Sequence, residues 1–371
     1  MTAAAMANEL LVAPGRVLRG RQLLSHYGQE LLSLGRRWLL VGGPTALSLV
    51  QPQLQAVGIT PVQVAVIKEC TEVARQSLGE AIRAERIEGV LACGGGKALD
   101  GGKLVAHDQG IPVVTIPTSA ATCAAWTALS NVYSEGGAFL YDVPLRQCPI
   151  WLLLDYDLVQ RAPRRTLVAG IGDALAKWYE ASVSARQVPD TPVLMAVQQA
   201  RVLRDVLVQK AVAALDQPGS AVWEQVVDAT VLMAGLVGGL GGAPCRTVAA
   251  HAVHNGLTHW PVTHCWLHGE KVAFGILVQL RLEEMQGQRL AAIARTQLLT
   301  LYRQIGLPCS LADLGLGDWT PQELQALAER ICHPRSDIHR LPFAVTPAQV
   351  VEAMRTTTQA WPPQTASYGI S

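Results

Sequence analysis

The strongest constraint on the fold is the alternation of short apolar segments with helix-like segments up to about residue 160. Segments rich in Val, Ile, Leu and Trp, which are typical of buried β-strands, cover residues 38–41, 62–67, 89–93, 111–116 and 150–154. Segments with helical periodicity cover residues 46–57, 73–84 and 98–107. This alternation predicts βαβ units, and therefore a parallel sheet with helices on both faces. The exception is 131–141, where Glu135-Gly136-Gly137 lies between two β-rich flanks and predicts a hairpin.

After Asp155 the sequence predicts helices only. They cover residues 165–185, 193–215, 221–237, 248–259, 267–285, 290–305, 321–332 and 347–361. Thr320-Pro321 and Thr346-Pro347 each combine an N-cap residue with a proline at the first helical position. We therefore expect an α/β domain over residues 1–161 and an all-α domain over residues 162–371. The cleft between two such domains is the default place for a site.

Composition and charge exclude several classes of protein. Of the 371 residues, 50% are hydrophobic and 16% are charged, which excludes an intrinsically disordered chain. The formal net charge is +1 and no run of basic residues is present, so we expect no nucleic-acid or anionic-membrane partner.

Residues 1–12 lack the basic region of a signal peptide, and glycines and a proline interrupt the apolar segment 229–245. The eight cysteines form no CxxC pair, which is typical of reduced thiols. We expect a cytoplasmic homo-oligomer that acts on a small molecule.

Two turns at predicted strand ends are candidates for phosphate binding. Residues 90–100 combine a strand, three glycines and the start of a helix, so that backbone N–H groups and a helix N-terminus can meet a phosphate. The spacing is not GxGxxG, and a tight strand-to-helix connection explains the same residues. Residues 117–122 form a second turn with hydroxyl side chains after another buried strand. Two such turns at one sheet edge favour ligand binding there.

The sequence indicates a first strand that ends in the turn Gly42-Gly43-Pro44-Thr45. This turn would help to decide which dinucleotide can bind. NAD sites usually place an acidic side chain near a strand end, where it binds the ribose hydroxyls, and none is present here. A dinucleotide with a 2′-phosphate would meet no carboxylate at this turn. If this is a dinucleotide site, we expect it to accept NADP(H), provided that a cation such as Arg36, Arg37 or Lys68 lies nearby; otherwise the residues form another glycine turn.

One carboxylate and a histidine cluster are candidate metal ligands. Asp173 lies in an apolar helical stretch, where a lone carboxylate is costly unless it is paired or binds a metal. From this stretch alone, an ion pair with Lys177, one helical turn later, is the favoured explanation. Five of the nine histidines fall between positions 251 and 268, and His251 and His254 share a helix face. Two imidazoles and a carboxylate can hold a divalent metal and leave a position free for substrate.

Four segments together carry a family resemblance. They are CGGGKALDGGK (93–103), IPTSAATCAAWTALSNVYS (116–134), LVAGIGDALAKWYEA (167–181) and AAHAVHNGLTHWPVTHCWLHGEKVAFGILVQL (249–280). In this order they resemble the metal-dependent, iron-containing alcohol dehydrogenase superfamily, and in particular its glycerol dehydrogenase-like members. The resemblance implies the dehydroquinate synthase-like fold of that family, with a nucleotide-binding domain over residues 1–161 and a metal-binding domain over residues 162–371. It also implies oxidoreduction of alcohols and carbonyls with NAD(H) or NADP(H) and one divalent metal, zinc or ferrous iron.

The resemblance also implies roles for individual residues. Asp173, His251 and His268 match the metal ligands. The candidate catalytic residues are His254, as a proton relay, and Lys177. The coenzyme positions are Gly42, Gly94, Gly95, Gly96, Lys97, Asp100, Thr118, Ser119, Thr127, Leu129 and Tyr133.

The chain departs from its relatives at positions that bear on the substrate. Many iron-type members have a ligand histidine where this chain has Lys177, and glycerol dehydrogenases usually have a substrate-contacting aspartate where it has Cys123. The CAAW run, the AKWYEA run and Arg246, which we expect to open the helix of His251, are similar to the bacterial hydroxycarboxylate dehydrogenase branch. We therefore expect reduction of 2-oxo acids, with Cys123, Lys177 and Arg246 at the substrate. The alternatives are a polyol dehydrogenase such as glycerol dehydrogenase, a lyase on the related dehydroquinate synthase scaffold, and a binding protein without activity.

Overall fold

The structure is a computed structural model that describes residues 9–185, 188 and 190–360. Its first part contains a six-stranded sheet in the order β1-β8-β5-β4-β2-β3, in which every pair is parallel. The strands are β1 (Arg16–Gly20), β2 (Trp38–Gly42), β3 (Gln63–Val66), β4 (Gly89–Gly94), β5 (Val113–Pro117) and β8 (Trp151–Asp155). The predicted parallel sheet is confirmed.

Helices cover both faces of this sheet because its central strands are apolar on both sides. Leu39 of β2 packs with a cluster that includes residues of α3 (Glu72–Ala84) and α4 (Gly96–Gln109). The next residue, Leu40, points the other way and packs with residues of α1 (Leu23–Ser33) and α2 (Pro44–Ala56). Two layers of core therefore sandwich the sheet, as fully buried parallel strands require.

The predicted hairpin is confirmed. Strands β6 (Leu129–Tyr133) and β7 (Phe139–Pro144) pair antiparallel and form a separate two-stranded sheet. The backbone N–H of Phe139 donates to the hydroxyl of Thr258 at 3.0 Å. The hairpin therefore connects the strand-containing part of the chain with the helical part.

After β8 the described residues form helices, as predicted. They are α5 (Tyr156–Val159), α6 (Arg164–Ser184), α7 (Thr191–Asp216), α8 (Ala221–Asp228), α9 (Ala234–Gly241), α10 (Ala249–Leu257), α11 (His268–Met285), α12 (Arg289–Ile305), α13 (Pro321–Ile331) and α14 (Pro347–Arg355). Thr320 and Thr346 cap α13 and α14 in complete capping boxes with proline at the first turn. The division into two domains at residues 161 and 162 stays a prediction.

Helices α6 and α11 cross with their backbones in contact. A Cβ on Gly269 would lie 1.8 Å from the carbonyl oxygen of Ala169, and a Cβ on Gly172 would lie 2.5 Å from the carbonyl oxygen of Gly269. Only glycine allows this approach, because any side chain would displace one helix. The contact fixes the start of α11 against the middle of α6.

The structure corrects the sequence-based elements in three places. Strand β1 and helix α1 precede the strand that the sequence indicates as the first. The helix expected over 221–237 is divided into α8, a π-helical turn (Ala229–Met233) and α9. The last helix ends at Arg355, and Trp361, expected at its end, lies outside the described residues. All eight cysteines are free, in agreement with the expected thiols.

One helical stretch, Ala221–Gly241, has the length and apolar composition of a membrane span. Half of its most apolar window is buried inside the protein, where it packs against α6 and α7. Core helices of water-soluble proteins have the same properties, so this stretch is weak evidence for a membrane span.

Candidate active site

A cavity of about 550 Å³ lies between the carboxyl edge of the parallel sheet and helices α6, α10 and α11. The turns after β2, β4 and β5 form one wall, and the β6–β7 hairpin and the helices form the others. The predicted site residues that line it are Gly94, Gly95, Gly96, Lys97, Asp100, Thr118, Ser119, Cys123, Thr127, Leu129, Tyr133, Asp173, Lys177, Arg246, His251 and His268. The sequence segments that carry the family resemblance therefore meet at one cavity.

The glycine turn after β4 exposes backbone N–H groups to this cavity. Gly94 has a φ of +131°, which favours glycine, and Gly95 is the N-cap of α4 without a side-chain cap. The N–H of Thr118 donates to the carbonyl of Gly94 at 3.1 Å, so the turns after β4 and β5 are bonded together. A Cβ on Gly96 would lie 3.0 Å from Oγ1 of Thr122. The two turns form one surface that suits a phosphate group.

Lys97 and Asp100, at the start of α4, have partners within the protein. The ammonium of Lys97 forms an ion pair with Glu69. The carboxylate of Asp100 lies 3.0 Å from Nζ of Lys103 and accepts the backbone N–H of Asn131 at 3.2 Å. Burial raises the pKa of Asp100, and the charge of Lys103 offsets part of that rise. Asp100 therefore connects α4 with β6, the first strand of the hairpin.

The three predicted metal ligands converge at the helical wall of the cavity. Nε2 of His251 lies 3.5 Å and Nε2 of His268 lies 3.3 Å from Oδ1 of Asp173. One donor atom from each residue lies within 4.8 Å of the others. Helices α6, α10 and α11 supply one ligand each. The donor set suits a divalent metal with a coordination position left open.

The electrostatics of the three residues favour an ionised carboxylate. Burial alone would raise the pKa of Asp173, but the charge of Lys177 and the hydrogen bonds with the two histidines hold it well below its usual range. Burial would lower the pKa of His251, but the nearby carboxylates, that of Glu180 first, raise it to about 9. Burial lowers the pKa of His268.

Glu180, two helical turns after Asp173 on α6, is a site residue that sequence reasoning missed. Its carboxylate is fully buried. Oε2 accepts the Nδ1–H of His251 at 2.6 Å, and Oε1 accepts the backbone N–H groups of Val248 and His251 at 2.7 and 2.9 Å. These contacts turn Nε2 of His251 toward Asp173. The spacing from Asp173 on one helix face was the available signal.

Glu270 and Arg165 fix the start of α11, and sequence reasoning missed both. Glu270 accepts the backbone N–H of Leu267 at 2.7 Å and caps the helix that begins at His268. Arg165 donates to both carboxylate oxygens of Glu270, at 2.5 and 2.7 Å. This bidentate pair connects the first turn of α6 with the first turn of α11.

His254 and Gly42 are the predicted site residues that do not line the cavity. His254 is buried, its ring centroid lies 4.1 Å from that of His268, and its Nδ1 lies 2.9 Å from Oδ1 of Asn255. It therefore packs behind a metal ligand, and its role as a proton relay stays a prediction. A Cβ on Gly42 would lie 2.6 Å from Sγ of Cys93, so this glycine serves strand packing. The next residue, Gly43, lines the cavity in its place.

Lys177 and Cys123 line the cavity near the three metal-ligand candidates. Lys177 is 6% exposed, and its ammonium makes no hydrogen bond or ion pair with any residue that the structure describes. The expected alternative, an ion pair between Lys177 and Asp173, is therefore absent from the described part of the chain at ion-pair distance. Burial raises the pKa of the Cys123 thiol. Burial would lower the pKa of Lys177, but the charge of Asp173 and other nearby groups raise it. The cavity wall thus holds a charged ammonium without a hydrogen-bond partner among the described residues, and a neutral thiol.

Arg246 also lines the cavity, but its expected position at the start of a helix is wrong. Helix α10 begins at Ala249, and Arg246 follows a 3-10 turn instead. Its nearest carboxylate, that of Asp142 on β7, lies 4.0 Å away, and burial lowers the pKa of its guanidinium. Arg340 and Asp337, which sequence reasoning missed, form a 3.0 Å ion pair on the same wall.

The chain is similar to known proteins over most of its length. Residues 14–156 match the family described as iron-containing alcohol dehydrogenase. An uncharacterised oxidoreductase of Synechocystis is 55% identical over 94% of this chain and 91% of its own. Hydroxycarboxylate dehydrogenase A of Escherichia coli is 42% identical over 70% of this chain and 71% of its own. The crystal structure of a probable glycerol dehydrogenase from Sinorhizobium meliloti matches with a TM-score of 0.83 and 29% identity, over 94% of this chain and 97% of that one.

Proposed function

This chain belongs to the iron-containing alcohol dehydrogenase family, and we propose that it interconverts 2-oxo acids and 2-hydroxy acids with a nicotinamide coenzyme and one divalent metal ion. Members of the family among its relatives are oxidoreductases that act on alcohol groups. The proposal adds the substrate class to this general activity.

The observation that carries the proposal is the ammonium of Lys177, which lines the cavity without a hydrogen-bond partner among the described residues. The charge of Asp173 stabilises this cation from a distance, but its N–H donors stay free, and a cation with free donors on a cavity wall can bind an anionic ligand. Arg246, on the same cavity, has its nearest carboxylate at 4.0 Å and keeps donors for a second partner. A substrate carboxylate held by these two cations places the 2-oxo group of the same molecule toward Asp173 and the two histidines.

The donor set fits the metal that the family name implies. Asp173, His251 and His268 would hold it, and Glu180 fixes the tautomer of His251. Zinc and ferrous iron both accept two imidazoles and one carboxylate, and zinc is the proposed occupant. When bound, the metal polarises the substrate oxygen as a Lewis acid, and the coenzyme supplies or takes up the hydride.

The residues of the chain itself bind and orient the reactants. The turns at Gly94–Gly96 and Thr118–Ser119 offer backbone N–H groups and hydroxyls to the coenzyme pyrophosphate. Lys177 and Arg246 hold the substrate carboxylate. Cys123 supplies no strong hydrogen-bond acceptor for a polyol hydroxyl, because a thiol is a weak partner. The hairpin contributes Tyr133 and Phe139 to the cavity lining.

A polyol dehydrogenase is the second candidate, because the probable glycerol dehydrogenase shares the fold over nearly the whole chain. Asp142 on the cavity wall is a carboxylate that can accept polyol hydroxyls. The deciding experiment is a screen of initial rates with 2-oxo acids, aldehydes of equal length and glycerol, each with both coenzymes. Values of kcat/KM for 2-oxo acids well above those of the other classes support the proposal, and better turnover of glycerol than of any 2-hydroxy acid overturns it.

A further inference from the structure

Arg246 shares its end of the cavity with three further charged side chains. The carboxylate of Asp142 lies 4.0 Å from its guanidinium, and Arg340 forms a 3.0 Å ion pair with Asp337. All four residues line the cavity. They belong to strand β7, to the residue that follows the 3-10 turn Ala243–Cys245, and to the 3-10 helix Asp337–Arg340. A substrate carboxylate on Arg246 would therefore have these groups as neighbours.

Asp142 is the carboxylate of the cavity wall with free acceptors. Among the described residues, four carboxylates line the cavity. Asp100 and Asp337 each lie 3.0 Å from a cationic nitrogen, and Asp173 lies within 3.5 Å of two histidine nitrogens. The carboxylate of Asp142 accepts no hydrogen bond from any residue that the structure describes, and its side chain is 51% exposed. Its acceptors are therefore open to a ligand in the cavity.

The charges at this end of the cavity suit a substrate with a single carboxylate. Three cations and two carboxylates line it, namely Lys177, Arg246, Arg340, Asp142 and Asp337. One positive charge is therefore left, and one substrate carboxylate neutralises it. A second carboxylate on the substrate would meet the like charge of Asp142, which is unfavourable. A hydroxyl group, in contrast, can donate a hydrogen bond to Asp142 without adding charge.

The distance between Arg246 and Asp142 suits a short acid with a hydroxyl group. A substrate carboxylate oxygen on Nη2 of Arg246, at about 2.8 Å, would lie no more than about 7 Å from the carboxylate of Asp142. A hydroxyl group on the carbon next to the 2-oxo group, or on the following carbon, lies within this span. We propose that Asp142 accepts a hydrogen bond from the substrate and selects 2-oxo acids that carry a hydroxyl group on carbon 3 or 4.

This inference rests on the proposed function, because Lys177 and Arg246 must hold the carboxylate on carbon 1. It adds the residue that recognises the remainder of the substrate. The reaction itself is unchanged: carbon 2 accepts the hydride of the reduced coenzyme, and its oxygen accepts a proton.

Two substrates of equal size test the contribution of the hydroxyl group. Hydroxypyruvate and 2-oxobutanoate differ in that a hydroxyl group of the first replaces a methyl group of the second. We expect a higher kcat/KM for hydroxypyruvate in the wild type, and a fall of about 10- to 100-fold in the ratio of the two values in Asp142→Ala, the range for a hydrogen bond to a charged group. The value for 2-oxobutanoate should not fall in this variant, because Asp142 gives this substrate no hydrogen bond.

Glu135→Ala is the matched control. It removes an exposed carboxylate from the turn of the same hairpin, and Glu135 does not line the cavity, so the ratio should equal that of the wild type. An unchanged ratio in Asp142→Ala, or better turnover of the dicarboxylate 2-oxoglutarate than of hydroxypyruvate, overturns the inference and leaves the proposed function standing. Dihydroxyacetone has a hydroxymethyl group in place of the carboxylate of hydroxypyruvate. Better turnover of dihydroxyacetone than of either acid overturns both.

Discussion

The carboxylate of Glu180 holds His251 by its ring and by its backbone at once. Oε2 accepts the Nδ1–H of the imidazole at 2.6 Å, and Oε1 accepts the backbone N–H of the same residue at 2.9 Å. The ring nitrogen that remains, Nε2, lies 3.5 Å from Oδ1 of Asp173. One buried side chain on α6 therefore sets both the position and the tautomer of a candidate ligand on α10.

Glu180→Gln should weaken metal binding without preventing folding. The amide keeps the shape of the carboxylate but loses its charge and one acceptor for the three N–H groups. We expect a loss of about 10- to 100-fold in metal affinity, as is usual when a partner of a ligating histidine is replaced. Competition with a chelator measures this affinity, and Glu329→Gln, on the exposed surface of α13, is the control. Wild-type affinity in Glu180→Gln would mean that His251 is not a ligand or needs no orienting partner.

His268→Ala should remove the metal and the activity together. Two of the three donors remain, but a buried carboxylate beside one imidazole is a poor site for a divalent ion. Loss of Lewis-acid stabilisation amounts to several kcal/mol, so we expect less than about 1% of wild-type kcat/KM. Elemental analysis and rate measurements check both effects, with His259→Ala as the control because His259 contacts Arg330 outside the cavity. Full metal content and activity in His268→Ala would rule out the site.

Gly269→Ala should separate helices α6 and α11. The added methyl group would lie 1.8 Å from the carbonyl oxygen of Ala169, and neither backbone can yield without moving a metal-ligand candidate. We expect a loss of about 3 kcal/mol or more in the free energy of unfolding, at the upper end of overpacking effects, together with weaker metal binding. Gly43→Ala is the matched control, since its methyl group meets no atom within 4 Å. Urea unfolding of both variants gives the comparison, and equal stabilities would show that the helices adjust freely.

The sequence predicted those strands and helices whose own residues form a recognisable pattern. The central strands are apolar throughout, and the hairpin has a glycine pair between β-rich flanks. Strand β1 was missed because RVLRG contains two arginines and lies at the sheet edge, where only Leu18 is buried. The π-helical turn after Asp228 was missed because an apolar sequence does not specify how its hydrogen bonds are spaced.

The residues of the candidate site also fall into those that the sequence could identify and those that it could not. Asp173, His251 and His268 were identifiable because buried polar residues in apolar stretches, and a dense histidine cluster, call for an explanation within the sequence. Glu180 and Arg165 act through tertiary contacts with residues about 70 and 105 positions away. The spacing of Glu180 from Asp173 places both on one face of α6, but the sequence does not show which residues that face would contact. Gly42 was predicted as a coenzyme contact, but Gly43 lines the cavity, because only the register of β2 decides which glycine faces it.

Arg246→Met should change the choice of substrate more than the rate of the chemistry. The guanidinium has its nearest carboxylate at 4.0 Å, so a substrate carboxylate can become its main partner. Removing that partner costs about 2 to 4 kcal/mol for 2-oxo acids, the usual range for an unpaired interfacial charge, and little for aldehydes of equal length, which carry no carboxylate. The ratio of kcat/KM for the two substrate classes measures the effect within a single variant, so changes in stability or metal content cancel. Lys177→Met should shift the ratio in the same direction, because both cations hold one group. Equal losses of kcat/KM for acids and aldehydes in both variants would mean that the two cations stabilise the fold and do not bind a substrate carboxylate. The substrate would then have to be an uncharged alcohol or aldehyde.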